Sequence, residues 1–171
     1  MSEPSEFERL VEERRIERVL IAYCRGLDAM DLESIAALFT DDCVVSYGPD
    51  DALNSIGREA LRSDLARLWR WQRTAHHLCN IEIEFERADA ARAQSAVMAW
   101  HERTGDDGAL LTAIVYGRYE DILTRTDAGW RIASRTMFMA GSDANFRVNL
   151  HPAPRRPPPP GWTAPDVERR D

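Results

Sequence analysis

Apolar residues recur at three- and four-residue steps from the start of the chain: Phe7, Leu10, Val11, Ile16, Val19, Leu20, Tyr23 and Leu27. That period predicts a helix from Ser5 to Met30, with Ser5 as its cap and Glu6 and Glu8 in its first turn, where the helix dipole favours acids. Gly26 is expected to weaken its end. Asp31 predicts the cap of a short second helix, LESIAALF, stopping at Thr40-Asp41-Asp42. CVVSYG reads as a short strand closed by Gly48-Pro49. A loop then leads to a third helix, about Arg58 to Trp71, with Leu61, Leu65, Leu68 and Trp69 on one face. From Asn80 the period drops to two, with Ile81, Ile83 and Phe85 on one side and Glu82 and Glu84 on the other. Ala93 to Arg103, Ala109 to Arg125 and Trp130 to Met139 follow as strands, separated by turns at TGDDG and TDAG. The order is two helices, a strand, a helix and a four-strand antiparallel meander. It predicts an α+β fold whose curved sheet wraps the helices. One domain is expected over 1–141. In 142–171 the prolines of HPAPRRPPPPGW exclude helix and central strand. That stretch reads as a disordered tail, or as an arm lying on a neighbouring subunit with Phe146, Leu150 and Trp162 as anchors.

Composition narrows the function. The chain has 171 residues, 44% hydrophobic, enough for one domain with a real core. No apolar run approaches the roughly 18 residues of a membrane span, and the charged start MSEPSEFERLVEERR has no signal-like apolar region; a cytoplasmic protein is expected. A net charge of −7 makes nucleic acid and anionic lipid poor partners. All 22 bases are Arg. Without lysine, neither Schiff-base catalysis nor a Walker-type phosphate loop is available. Cys24, Cys43 and Cys79 have no disulfide-framework or zinc spacing. GxGxxG, GxSxG and HExxH are absent.

Four histidines remain. His151 lies in the Pro-rich tail and is set aside. His76 and His77 stand where the third helix hands over to the first long strand, and His101 stands late in the next. Alternation back from Ile81 through Cys79 puts His77 on the apolar side, while a bulge would turn His76 there instead. Asp28 ends the first helix, where a carboxylate opposes the dipole. It follows Tyr23 by five residues, about 140° away around the helix, so the two share a face only if the helix loosens near Gly26. An Asp–His pair with a tyrosine in an apolar cavity can abstract a proton and assist a departing hydroxyl with no metal or cofactor. Trp69 and Trp71 read as helix packing, Cys24 and Cys79 as small core residues, and Arg118 and Arg135 as surface pairs.

The run IERVLIAYCRGLD, with AMD and LFTDD after it, resembles the opening of SnoaL-like proteins of the nuclear transport factor 2-like superfamily. TAHHLCN resembles that family's histidine-bearing strand, whose histidine precedes an asparagine by four residues, and GRYED through DAGWRI resembles its last two strands. The likeness spans about Glu6 to Gly141 and implies a cone-shaped, barrel-like antiparallel sheet around helices, with a deep pocket. In site residues the chain is most similar to the scytalone and bile-acid 7α-dehydratases. That implies Asp28 and His76 as the catalytic pair, His101 as a second histidine, and Tyr47 and Tyr23 as pocket tyrosines. Leu27 stands where scytalone dehydratase keeps a tyrosine, and Tyr119 near its asparagine, which points to a different substrate. The implied function is a cofactor-independent lyase, a dehydratase releasing water or a small carbonyl fragment from a hydroxylated cyclic, aromatic or polycyclic molecule. An isomerase or cyclase, and a non-catalytic or dioxygenase β-like subunit, are the alternatives. Leu27, Trp69, His77, Val115, Tyr119 and Phe138 are expected to contact substrate, with Leu20, Phe39 and Val45 adding apolar lining. A homotrimer or dimer is expected, with the Pro-rich arm crossing the interface.

Overall fold

In the computed structural model, which describes residues 5–144, 151–152 and 160–161, the first helix, α1, runs Glu6–Ala29 without a break. Ser5 and Glu8 close a capping box at its start, and Met30 ends it in the left-handed region at φ 53°. Gly26 does not loosen it. A Cβ at Gly26 would stand 2.6 Å from Ile35 Cγ1, so the glycine lets α2 (Leu32–Ala36) pack directly on α1.

Next come β1 (Phe39–Ser46), a 3₁₀ turn at Asp51–Leu53, β2 (Asn54–Ile56) and α3 (Arg58–Leu65). β2 falls in the stretch expected to be loop; its three residues pair with β1. The third helix is shorter than its apolar spacing suggests, because Ala66–Arg70 tightens into a 3₁₀ segment. The meander is β3 (Arg73–Arg87), β4 (Ala90–Thr104), β5 (Leu110–Thr126) and β6 (Gly129–Ala144). β3 starts at Arg73, well before Asn80, and β6 continues past Gly141. A short β7 (His151–Pro152) pairs with β6 at Phe138 and Met139. Phe146, Leu150 and Trp162 lie outside the described residues.

All strands join one curved sheet in the order β2-β1-β6-β5-β4-β3, with β7 beside β6. It differs from the expected antiparallel barrel in two ways. β1 runs parallel to β6, and the sheet stays open because its end strands β2 and β3 do not pair. A parallel neighbour needs a long crossover, and the whole of β2 through β5 supplies it.

The core lies between α1 and the inner face of the sheet. Ile16, Leu20, Tyr23, Cys24 and Leu27 face Val97, Val115, Tyr119, Leu123 and Ile132. β4 turns Ala91, Ala93, Ser95, Val97 and Ala99 inward, a row of small side chains that admits the helix. Phe39 and Val45 are wholly buried there. Among the described residues no helix is long and apolar enough to cross a membrane.

Candidate active site

The small residues that admit α1 also leave a hollow where its cover ends. Ala99 pairs with Val115 and His101 with Ala113 across β4 and β5. All four line a cavity of about 160 Å³, together with Tyr23 and Leu27 of α1, Tyr47 and Leu53 after β1, Leu65 of α3, and Tyr119 and Met137 of the sheet. Arg67, Leu68, Arg70, Trp71 and His76 complete the wall.

Asp28 stands behind this wall. Its Oδ1 lies 2.6 Å from His76 Nδ1 and accepts from Thr74 Oγ1 at 3.0 Å; its Oδ2 accepts from the His76 backbone N–H at 2.9 Å. These three bonds answer the objection to a carboxylate at a helix C-terminus. Burial pushes the Asp28 carboxyl upward, but the ring and backbone of His76, the imidazole charge and Thr74 outweigh it, holding its pKa below the ordinary aspartate value. An ionised carboxylate only accepts, so the neutral His76 ring keeps its proton on Nδ1. Nε2 is then the basic nitrogen, on a ring that lines the cavity and whose side chain is only 4% exposed.

The strand turns His76 inward, and not His77, because of Asn80. Cys79 pairs with Ala96 and Glu82 with Gln94, so β3 carries one extra residue between them. Asn80 absorbs it with φ 49°. On one side of this bulge Ile81, Ile83 and Phe85 pack toward the core; on the other, parity is reversed and His76 faces inward. His77 is exposed and does not line the cavity. The bulge sits inside the strand rather than at its start.

His101 is buried, with its ring centroid 5.3 Å from that of His76 and 5.3 Å from that of Trp71. Desolvation, reinforced by the His76 charge, brings its pKa down to about 4, against a partial offset from the Ala99 and Ala113 backbone. At neutral pH it is an uncharged ring. Tyr23 and Tyr47, which also line the cavity, hydrogen-bond to each other through their hydroxyls. Burial raises both pKa values, so both remain protonated phenols. One shared bond consumes one hydroxyl proton and leaves the other to donate.

Several expected contacts are absent. Trp69 is 63% exposed and Trp71 takes the wall position, because the 3₁₀ segment advances by three residues per turn rather than 3.6. Phe138 points to the other face of β6, against Arg118 and His151, while its neighbour Met137 lines the cavity. Leu20, Phe39 and Val45 belong to the solid core. Asp28 acts through His76 and does not line the hollow, whereas Leu27, Val115 and Tyr119 do. His151, set aside on sequence, bonds Ser46 Oγ through Nε2 at 2.8 Å. Cys79 is exposed, unlike Cys24.

Arg135 departs furthest from expectation. It is fully buried, bonds both oxygens of Asp121 at 2.7 and 2.9 Å, and lies 4.1 and 4.2 Å from the ring centroids of Tyr23 and Tyr119. Arg118 pairs with Glu120 at the surface, as expected. Sequence reading missed Thr74, Arg67, Arg70 and Met137, and assigned Trp71 to helix packing. For Thr74 a signal existed, since it sits two residues before His76 on the same strand face. Among the described residues no group of three or more His, Cys, Asp or Glu side chains is placed to hold a metal ion.

The sequence matches the SnoaL-like domain over residues 8–136. A candidate scytalone dehydratase from Novosphingobium aromaticivorans is 32% identical, superposes with a TM-score of 0.79, and covers 87% of this chain and 97% of its own. The hexachlorocyclohexane dehydrochlorinase LinA type 3 of Novosphingobium barchaimii is 18% identical, with a TM-score of 0.70 and coverage of 87% and 100%. A cystatin-like protein of unknown function from Nostoc punctiforme has 21% identity, a TM-score of 0.61 and coverage of 81% and 95%. The last two likenesses concern the fold. No curated protein matches the chain.

Proposed function

The chain belongs to the SnoaL-like domain family, and on that premise we propose that it is a lyase that eliminates water from a hydroxylated ring compound by acid–base chemistry of its own side chains. One observation carries this reading: the Asp28–His76 pair, 2.6 Å apart, presents an imidazole to a half-open, mainly apolar cavity. The similarity to a candidate dehydratase supports the same class.

In this mechanism His76 Nε2 takes a proton from a substrate carbon made acidic by a neighbouring carbonyl or ring. Asp28 stabilises the imidazolium that forms and holds the ring's orientation. The carbon's electron pair becomes the new double bond, and the carbon–oxygen bond on the adjacent position breaks. The His76 imidazolium gives the proton it took to the departing hydroxyl, which leaves as water and returns the imidazole to its neutral form. Of Tyr23 and Tyr47, the one whose proton is not spent in their shared bond donates to the substrate oxygen on which charge develops. His101, neutral beside His76, places no second positive charge against the imidazolium and can hold the leaving oxygen. The cavity of about 160 Å³ is close to the roughly 150 Å³ that encloses benzene. Of the cyclic, aromatic and polycyclic skeletons that the resemblance implies, a single ring therefore suits this half-open hollow best.

The test is turnover of hydroxylated one-ring compounds by wild type, His76→Ala and Asp28→Asn, followed by product mass. Each substitution is expected to lower kcat by roughly 10²–10⁴. Wild-type rates in both variants would reject the mechanism. A product of unchanged mass would assign the same base to isomerisation instead.

A further inference from the structure

The rim of the cavity carries charge that the elimination chemistry leaves unused. Arg67 and Arg70 both line it, carried by the 3₁₀ segment Ala66–Arg70. Arg103, near the end of β4, is close enough for its charge to be felt at Arg70. Among the described residues none of these arginines forms an ion pair. Arg67 donates to the Ala52 carbonyl, and Arg70 lies 5.7 Å from the centre of the Trp71 ring. The nearest acid on this part of β4, Glu102, is buried and engaged by Arg73 at 2.7 Å. A chain with a net charge of −7 and many exposed acids has thus left a positive rim on an apolar hollow. Desolvation and the charges of Arg67 and Arg103 lower the pKa of Arg70 below the usual guanidinium value, as expected where no anion balances them.

From Arg70 a line of contacts leads inward. Arg70 lies over Trp71, Trp71 against His101, and His101 against His76, with successive separations of 5.7, 5.3 and 5.3 Å. A guanidinium at the outer end and a base at the inner end bracket the Trp71 and His101 rings, which are tilted by 48° to each other. Carboxylate is the planar anion that guanidinium binds through paired hydrogen bonds.

Resting on the acid–base reading of His76, we propose that the substrate is a one-ring carboxylate: Arg70 and Arg67 hold its charge at the rim, its ring lies along Trp71, and its reacting carbon reaches His76. The charge anchors one end of the molecule, so only one edge of the ring meets the base. Rim arginines thereby determine which carbon loses its proton.

The experiment measures binding without turnover. Full-length protein is titrated calorimetrically with benzoate and cyclohexanecarboxylate, with their neutral amides, and with acetate. Each ring carboxylate is expected to bind at least about tenfold more tightly than its amide and than acetate. Added salt should weaken the carboxylates and spare the amides. Arg70→Met and Arg67→Met should each remove most of the preference, while Arg70→Lys, which keeps the charge, should retain part of it. Equal binding of carboxylate and amide, no binding of either at millimolar concentration, acetate matching benzoate, or unchanged carboxylate affinity in folded Arg70→Met and Arg67→Met would each overturn the proposal. His76→Ala should keep the preference. A failure here rejects the anionic substrate without touching the base assignment, which stands or falls on kcat.

Discussion

Replacing Arg135 by methionine tests how the floor of the cavity is built. The guanidinium is wholly buried and donates to both carboxylate oxygens of Asp121, whose side chain is equally buried. The ring centroids of Tyr23 and Tyr119 lie 4.1 and 4.2 Å from its Cζ. Methionine fills much of the same volume but leaves Asp121 with a buried, unbalanced charge. Breaking such a pair costs about 3–5 kcal/mol. Loss of the contacts to the tyrosine rings adds up to about 2 kcal/mol. Against a total stability of roughly 5–15 kcal/mol, that is a large fraction. In urea, with a slope of about 2–3 kcal/mol/M, the midpoint should fall by roughly 1–3.5 M. The double variant Arg135→Met/Asp121→Leu removes both charges together and should recover most of the loss, since apolar replacement of a buried pair is often neutral or stabilising. Equilibrium unfolding of wild type, both single variants and the double variant closes the cycle. A single-variant cost below about 1 kcal/mol, or a double variant as unstable as the sum of the singles, would refute the reasoning.

Acid stability should depend on His101. Its pKa of about 4 in the folded chain lies below the ordinary 6.5, so the unfolded chain binds the extra proton between those values. Stability is therefore fully present above about pH 6.5 and is lost as pH falls toward 4, by roughly 3 kcal/mol. Urea unfolding across that range should show a shallower slope for His101→Gln, and an unchanged slope would contradict the assignment. The bulge at Asn80, with φ 49°, should tolerate Asn80→Gly but lose about 1–3 kcal/mol with the β-branched Asn80→Val. Equal thermal stability of the two variants would argue against the left-handed conformation that turns His76 inward.

Local pattern determined most of the secondary structure. The three- and four-residue apolar steps in α1, its Ser5 cap and the alternation of Ile81, Ile83 and Phe85 depend on residues a few positions apart, and they read directly. Family likeness carried the choice of Asp28, His76 and His101, because their meeting depends on contacts such as that of Asp28 with Thr74, 46 positions apart, which no local period encodes. The inward face of His76 was decided by one extra residue at Asn80. A single insertion reverses parity for everything before it, and only pairing with β4 reveals where it falls. The exchange of Trp69 for Trp71 has a similar origin, in a helix that tightened its last turn under packing. The burial of Arg135 was decided by register, which sets Asp121 opposite it on β5 and lets two charges that would each seek water pair inside the core.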